Sequence, residues 1–195
     1  MTNSDKHSKF NADILNRRKD HHSGYIHCPF CRSELVEKEI DGHRRLVCSN
    51  DACDFIFYQN PVPAAGAIIV ENDSILLVQR AHPPKIDWWC IPAGFMEWTE
   101  HPSQTAVREI REETGLIVEL KGFFEVYSGN DDPRNNAVLM LYLADRVGGE
   151  LKAGDDAYDA RFFNFDHLPE KIAFESHIQA IADYNQRIRG RSGQK

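Results

Sequence analysis

The feature that most restricts how this chain can fold is a charged motif of fixed spacing that begins at Gly94. Five residues separate Gly94 from Glu100, and seven more lead to the sequence Arg-Glu-Ile-Arg-Glu-Glu at positions 108–113. Pro102 suits the first turn of a helix, and Gly115 suits the position just after the last turn. The motif therefore predicts a glutamate-rich helix that ends before Gly115.

The predicted helix runs from about Pro102 to Thr114. With 3.6 residues per turn, one side carries an apolar group and the opposite side carries three carboxylates: Val107, Ile110 and Thr114 on the first, Glu109, Glu112 and Glu113 on the second. Such a patch suits hard cations such as Mg²⁺, which take carboxylate and phosphate oxygens. Taken alone, the string is more typical of a solvated helix face with salt bridges.

The whole motif matches the Nudix box at every defined position, and the chain resembles Nudix hydrolases over about residues 62–190. The resemblance implies an α+β fold, an α/β/α sandwich with a mixed sheet, and catalytic Mg²⁺ or Mn²⁺. It also implies a role for each matching residue: metal ligands at Glu109, Glu112, Glu113 and the Gly94 carbonyl, a catalytic role for Glu112, an orienting arginine at Arg108 and structural support from Glu100. The usual Pro-Gly-Gly before the box is here Pro92-Ala93-Gly94.

Four cysteines precede this region. Two residues lie between Cys28 and Cys31, four lie between Cys48 and Cys53, and sixteen separate the pairs. These gaps suit a tetrahedral Cys₄ zinc site, which has no open position for water and is therefore structural. The alternative is a set of unrelated thiols. The segment also resembles the zinc ribbon that precedes some Nudix domains.

The 195 residues allow one full-sized core plus an appendage. We divide the chain into a disordered lead-in at 1–24, a zinc ribbon at 25–60 and a Nudix domain at 61–195. The net charge of -7 argues against nucleic acid as a partner. The sequence has neither a bilayer-length apolar run nor a signal-peptide pattern, so we expect a cytoplasmic protein without membrane contact. Monomer and homodimer stay open.

Residues outside the box supply candidates for the remaining roles. The sequence Ala-Gly-Asp-Asp-Ala-Tyr-Asp at 153–159 offers a general base, for which we favour Asp159 and then Asp156 over Asp155. A turn rich in aspartate for backbone reasons is the alternative. Arg80 ends a predicted strand where it can meet a phosphate, and Phe124 and Tyr127 offer flat surfaces for adenine. A surface arginine and ordinary strand packing are the competing interpretations.

These features predict metal-dependent hydrolysis of the pyrophosphate bond in a nucleoside diphosphate linked to another group, of the ADP-ribose, FAD or NADH type. The products are AMP and a second monophosphate. NADH ranks below the other two, because the Ser-Gln-Pro-Trp-Pro run of NADH-specific relatives is absent from residues 123–133. Two alternatives stay open: a nucleoside triphosphate pyrophosphohydrolase, and a non-catalytic module that senses nucleotides or binds nucleic acid.

Overall fold

The computed structural model describes residues 24–132, 135–154 and 156–190. The predicted lead-in lies outside these ranges except for Gly24. The chain divides between Asn60 and Pro61 into two compact units. In the described residues, no helix combines the length and apolar character needed to cross a membrane.

The first unit contains a three-stranded antiparallel sheet in the order β1 (Leu35–Ile40), β2 (His43–Cys48) and β3 (Ile56–Phe57). Asp41 and Gly42 join the first two strands, and both have positive φ, which is the backbone of the tightest hairpin turns. Its small core combines cysteine sulfurs with apolar side chains: Cys28, Leu35, Leu46 and Cys48, with Cys53, Phe55 and Phe57 against them.

The second unit is built on a mixed seven-stranded sheet. Its strands are β4 (Val62–Glu71), β5 (Ser74–Arg80), β6 (Trp89–Cys90), β7 (Ala93–Phe95), β8 (Leu116–Gly129), β9 (Ala137–Gly149) and β10 (Ala157–Asn164). The main order is β10-β5-β4-β9-β8, with β6 paired to β5 and β7 paired to β4. The pair β4–β9 is parallel and the others are antiparallel.

Two helices cover opposite faces of this sheet, α1 (Pro102–Thr114) and α2 (Glu175–Tyr184). Successive residues of a strand point to opposite faces. Accordingly Ile68 packs in the core that contains Ile181 of α2, and Ile69 packs in the core that contains Ile110 of α1. The predicted α/β/α sandwich with a mixed sheet is confirmed.

Helix α1 has the predicted limits. His101 caps its first turn in a reciprocal pair with Gln104, and Gly115 ends it in the left-handed conformation at φ 69°. Val107, which the helical wheel places on the same side as Ile110 and Thr114, is 36% exposed. The buried residues are instead Thr105, Ala106, Ile110 and Thr114, an arc that includes the wheel positions of Glu109 and Glu113. The helix therefore turns two carboxylates toward the protein.

The C-terminal helix differs slightly from the expected single helix over residues 176–188. A 3-10 turn, Phe165–His167, precedes α2, and a π-helical turn, Asn185–Arg189, follows it. The side chain of Arg189 bonds that of Asp73, and this ion pair ties the π-helical turn to the β4–β5 turn.

Candidate active site

Glu113 is the most enclosed carboxylate of the box. Its Oε2 atom accepts a hydrogen bond of 3.1 Å from the backbone N–H of Ala93 on β7. Burial, and secondly the negative charge of Glu109, raise the pKa of Glu113 to about 8. A carboxylate held in such a place is stabilised in its charged form by a nearby cation.

Glu109 lies directly against the backbone of β7. A Cβ atom added to Gly94 would stand 2.2 Å from Cδ and Oε1 of Glu109. Only glycine at position 94 leaves room for this carboxylate, which explains the glycine of the motif in steric terms. Burial is also the main cause that raises the pKa of Glu109.

Arg108 ties the acidic residues together. Its Nε and Nη2 atoms donate to the two carboxylate oxygens of Glu100 at 2.6 and 2.8 Å, and Nη2 also donates to the carbonyl of Phe95. Its Nη1 atom donates to Glu109 at 2.7 Å and to Glu112 at 2.9 Å. The guanidinium is therefore a fixed fork that orients two of the three box glutamates.

Glu100 is the anchor of this fork. Besides Arg108, it accepts a hydrogen bond of 2.7 Å from the hydroxyl of Thr105 and one of 3.1 Å from the N–H of Glu97. The bonds from Arg108 and then Thr105 lower the pKa of Glu100 to about 2. Glu100 is thus charged throughout the physiological range, as a support for Arg108 requires.

The box glutamates open into a cleft of about 350 Å³. Its lining residues are Glu109, Glu112, Glu113, Gly154 and Asp156. Gly154 packs so closely on the carbonyl of Glu112 that a Cβ there would come within 1.8 Å of it. The loop before β10 is therefore held against the end of α1, and this contact brings Asp156 to the carboxylates.

The three aspartates considered as general bases have different positions. Asp156 lines the cleft, and its Oδ1 lies 3.3 Å from Nε2 of His82. Asp159 lies on β10 and its carboxylate pairs with Arg161, so the structure favours Asp156, the reverse of the predicted order. Asp155 lies outside the described residues. His82 was not singled out by sequence, because its nearness to Asp156 arises only from the pairing of β5 with β10.

A second cavity of about 170 Å³ lies beside β7. Its lining combines small residues of the sheet with polar groups: Ala64, Arg80, Cys90, Ala93, Gly94, Phe95, Gly129, Asp131, Asp132, Asn135, Ala137, Leu139, Phe174, Ser176 and His177. Among these, only Arg80 and Gly94 belong to the candidate site residues predicted from the sequence. The others come from loops and helix ends that no local pattern marks.

Arg80 lines the second cavity, and its charge also acts on Glu113 in the carboxylate cleft. Its Nε atom donates to the carbonyl of Pro84 at 2.9 Å, and its guanidinium lies 5.0 Å from the ring centre of Phe174. Its positive charge opposes the raised pKa of Glu113 and contributes to the lowered pKa of His177. A cation in this position can attract phosphate groups.

Phe124 and Tyr127 have packing partners instead of a free face. Tyr127 is buried in the core under α2, and its hydroxyl donates to Asp183 at 2.9 Å. Phe124 packs against the same core, with Tyr184 and Arg187 beside its ring. This position favours the strand-packing interpretation for both over the stacking of adenine.

The four ribbon cysteines lie together, with all sulfurs within 4.8 Å of one another. Cys28 and Cys53 are 3.7 Å apart and Cys31 and Cys48 are 3.3 Å apart. Four thiolates around one zinc ion are separated by about 3.8 Å, given Zn–S bonds of about 2.3 Å, so the donor set fits that ion. Hydrogen bonds from Ser33 lower the pKa of Cys31 to about 6, whereas burial raises that of Cys48 to about 12.

The fold, the carboxylate helix and the glycine beneath it define a phosphoanhydride hydrolase of one class. Residues 60–184 match the model of the NUDIX domain family, so the chain belongs to this family and is a Nudix hydrolase. An ADP-ribose pyrophosphatase of Methanocaldococcus jannaschii is 40% identical over 142 residues, which cover 72% of this chain and 83% of that protein.

Two further relatives extend the comparison. The NAD-capped RNA hydrolase NudC of Pectobacterium carotovorum is 30% identical over 73% of this chain, which spans about half (52%) of that longer protein. The crystal structure of a NUDIX hydrolase from Nitrosomonas europaea is 30% identical, with a TM-score of 0.73 over 85% of this chain and 93% of that one. The latter likeness includes more than the NUDIX domain alone.

Proposed function

We propose that the chain hydrolyses the pyrophosphate bond of an ADP-linked compound, with ADP-ribose and FAD preferred, to give AMP and a second monophosphate. The observation that carries this proposal is that Arg80 lines a cavity separate from the carboxylate cleft while its charge acts on Glu113, which lines the cleft. A substrate with a group on each side of its pyrophosphate fits that arrangement. The similarity to an ADP-ribose pyrophosphatase supports the same choice.

The residues of the cleft fit a divalent cation. Glu109, Glu112 and Glu113, with the carbonyl of Gly94, would hold Mg²⁺ or Mn²⁺, which prefer such oxygen donors. When bound, the metal neutralises phosphate charge and activates water for attack on phosphorus. Arg108 offsets part of the negative charge and keeps Glu109 and Glu112 in fixed orientations.

The chain's own residues then divide the remaining tasks. Asp156 lines the cleft without belonging to α1, and we assign it the orientation of water and the acceptance of its proton. His82 orients that carboxylate, because its Nε2 atom lies 3.3 Å from Oδ1 of Asp156. Arg80 binds the phosphate that lies toward the second cavity.

The first unit has a structural task in this proposal. Its four sulfurs would hold one Zn²⁺ with every coordination position filled, so the ion contributes folding energy and no chemistry. The small core around the sulfurs is otherwise formed by few apolar side chains, among them Leu35 and Leu46. We therefore expect this unit to depend on zinc for its fold.

A product analysis tests the function directly. The protein is incubated with Mg²⁺ or Mn²⁺ and, separately, ADP-ribose, FAD, NADH and nucleoside triphosphates, and products are resolved by chromatography. We expect AMP from the first two at the highest rate. Inorganic pyrophosphate released from triphosphates far faster than AMP from ADP-ribose would establish the triphosphate activity instead, and absence of any hydrolysis would indicate a nucleotide sensor.

A further inference from the structure

The second cavity accommodates only part of a nucleotide-sized substrate. Its volume of about 170 Å³ is below the roughly 300–1,000 Å³ of pockets that enclose a whole small-molecule ligand. It is bounded by Gly94, whose Cα lies against Glu109, so its contents adjoin the box. One ring or one sugar, attached to phosphates in the carboxylate cleft, matches this size and place.

Two acceptor atoms in its wall are buried without a hydrogen-bond partner. These atoms are Oδ1 of Asp131 and Oδ1 of Asn135, which accept no hydrogen bond from any described residue. The other oxygen of Asp131 accepts from Nζ of Lys85 at 2.6 Å and from the N–H of Glu175 at 3.3 Å, so this carboxylate is held firmly. Buried acceptors without donors are unfavourable, and a ligand that brings donors relieves them.

One part of this wall is acidic. Asp131 and the adjoining Asp132 would repel a phosphate placed beside them, so a phosphate would lie at Arg80, the cation in the same lining. His177 adds a donor: its Nδ1 accepts from the N–H of Ile91 at 3.0 Å, which leaves the proton of the neutral ring on Nε2. The wall is thus suited to a neutral group with N–H or O–H donors and an acceptor.

We infer that Asp131 and Asn135 are specificity-determining residues that accept hydrogen bonds from a donor-bearing end of the substrate. An exocyclic amino group on a purine and the cis-diol of a ribose share this chemistry. The inference rests on the proposed function, because it names the part of an ADP-linked substrate that lies beyond the pyrophosphate. It gives a role to the segment before β9, where no sequence motif was recognised.

Equilibrium binding of hydrolysis products tests the inference without turnover. Calorimetry in the presence of Mg²⁺ compares AMP with inosine 5′-monophosphate, which lacks the amino group, and ribose 5-phosphate with 2-deoxyribose 5-phosphate, which lacks one hydroxyl. We expect the wild-type protein to bind the donor-bearing member of one pair about tenfold more tightly, the effect of one or two such bonds. The pair that is discriminated identifies the group.

Variants of Asn135 link that preference to the acceptor. Asn135→Ala removes the acceptor oxygen and should reduce the ratio of the two dissociation constants in the discriminated pair to near one. Asn135→Asp keeps an acceptor oxygen and should preserve that ratio. Asn136→Ala is the matched control, because the side chain of Asn136 is exposed and does not line the cavity. Equal binding within both pairs, a ratio unchanged in Asn135→Ala, or no binding at millimolar ligand overturns the inference.

These outcomes are separate from those of the product analysis. A protein that releases AMP from ADP-ribose but shows no dependence on Asn135 retains the proposed function and loses the inference. A protein that discriminates AMP through Asn135 but cleaves only triphosphates retains the binding assignment and loses the proposed function.

Discussion

The Cα of Gly94 and the carboxylate of Glu109 occupy adjoining space, so that a methyl group on one would overlap the other. We expect Gly94→Ala to displace Glu109 and lower kcat about a hundredfold, the order of effect of a misplacement near 1 Å. The control is Gly122→Ala, since nothing lies within 4 Å of the added methyl there. Equal kcat values for the two variants would show that turnover does not depend on this position of the Glu109 carboxylate.

The box glutamates should be needed for turnover and dispensable for folding. Glu112→Gln and Glu113→Gln each remove a negative charge from the cleft while keeping the size of the side chain, so we expect kcat to fall by orders of magnitude. Glu119→Gln, an exposed glutamate on β8 paired with Lys121, is the control. A Tm near that of the wild type in all three variants would show that each remains folded, so that their kcat values can be compared. Near-wild-type turnover in either cleft variant would contradict the metal assignment.

The unfolding free energy should depend on pH through His177. Burial, and secondly the charge of Arg80, lower the pKa of this imidazole to about 4 from 6.5. As the pH falls, the unfolded chain takes up the proton at a higher pH than the folded chain does. The unfolding free energy is therefore highest above pH 6.5, decreases by up to about 3 kcal/mol as the pH falls toward 4, and is constant below pH 4 with respect to this group.

Denaturant titrations between pH 8 and pH 4 measure this dependence. His177→Asn keeps an acceptor for the N–H of Ile91 but cannot titrate, so its stability should vary less over that window than that of the wild type. His167→Asn, at an exposed position, should leave the pH dependence unchanged. An unaltered slope in His177→Asn would assign the loss to other groups.

Purified protein should carry one tightly held zinc ion per chain. Elemental analysis of protein prepared without chelator measures it, and Cys28→Ser should lose the ion and lower the yield of folded protein. Cys90→Ser is the control, because Cys90 lies in the core of the other unit. Since thiol protons must leave when zinc binds, acidification should release the ion. Full zinc content in Cys28→Ser would rule out the four-sulfur site.

The sequence predicted the limits of α1 because its stop and start signals are local: Pro102 and Gly115 act through their own backbones. It did not predict which side of the helix is buried. A helical wheel gives relative angles only, and the orientation depends on contacts with distant strands, here Ala93 for Glu113 and Gly94 for Glu109.

The same reason separates the box from the rest of the site. Glu100 and Arg108 are eight residues apart and meet within one motif. Asp156, His82, Asn135 and His177 come from four separate segments, and only strand pairing brings them near the carboxylates or the second cavity. Aromatic residue type alone does not show which way a side chain points. Tyr127 has a ring that could stack on adenine, but side chains alternate between the two faces along β8, and that of Tyr127 is buried.

The parallel pairing of β4 with β9 determines when this enzyme can become active during folding. Val62 pairs with Ala137, and the whole box lies in the chain segment that this pair closes. Closing so long a segment costs chain entropy before any contact compensates for it, which makes such pairings slow to form. A nascent chain released only as far as β8 would possess every box glutamate and lack the strand that completes the sheet beside β4. Its acidic cluster would then be an unorganised set of charges, so catalytic competence should arrive in one late step with the closure of the sheet.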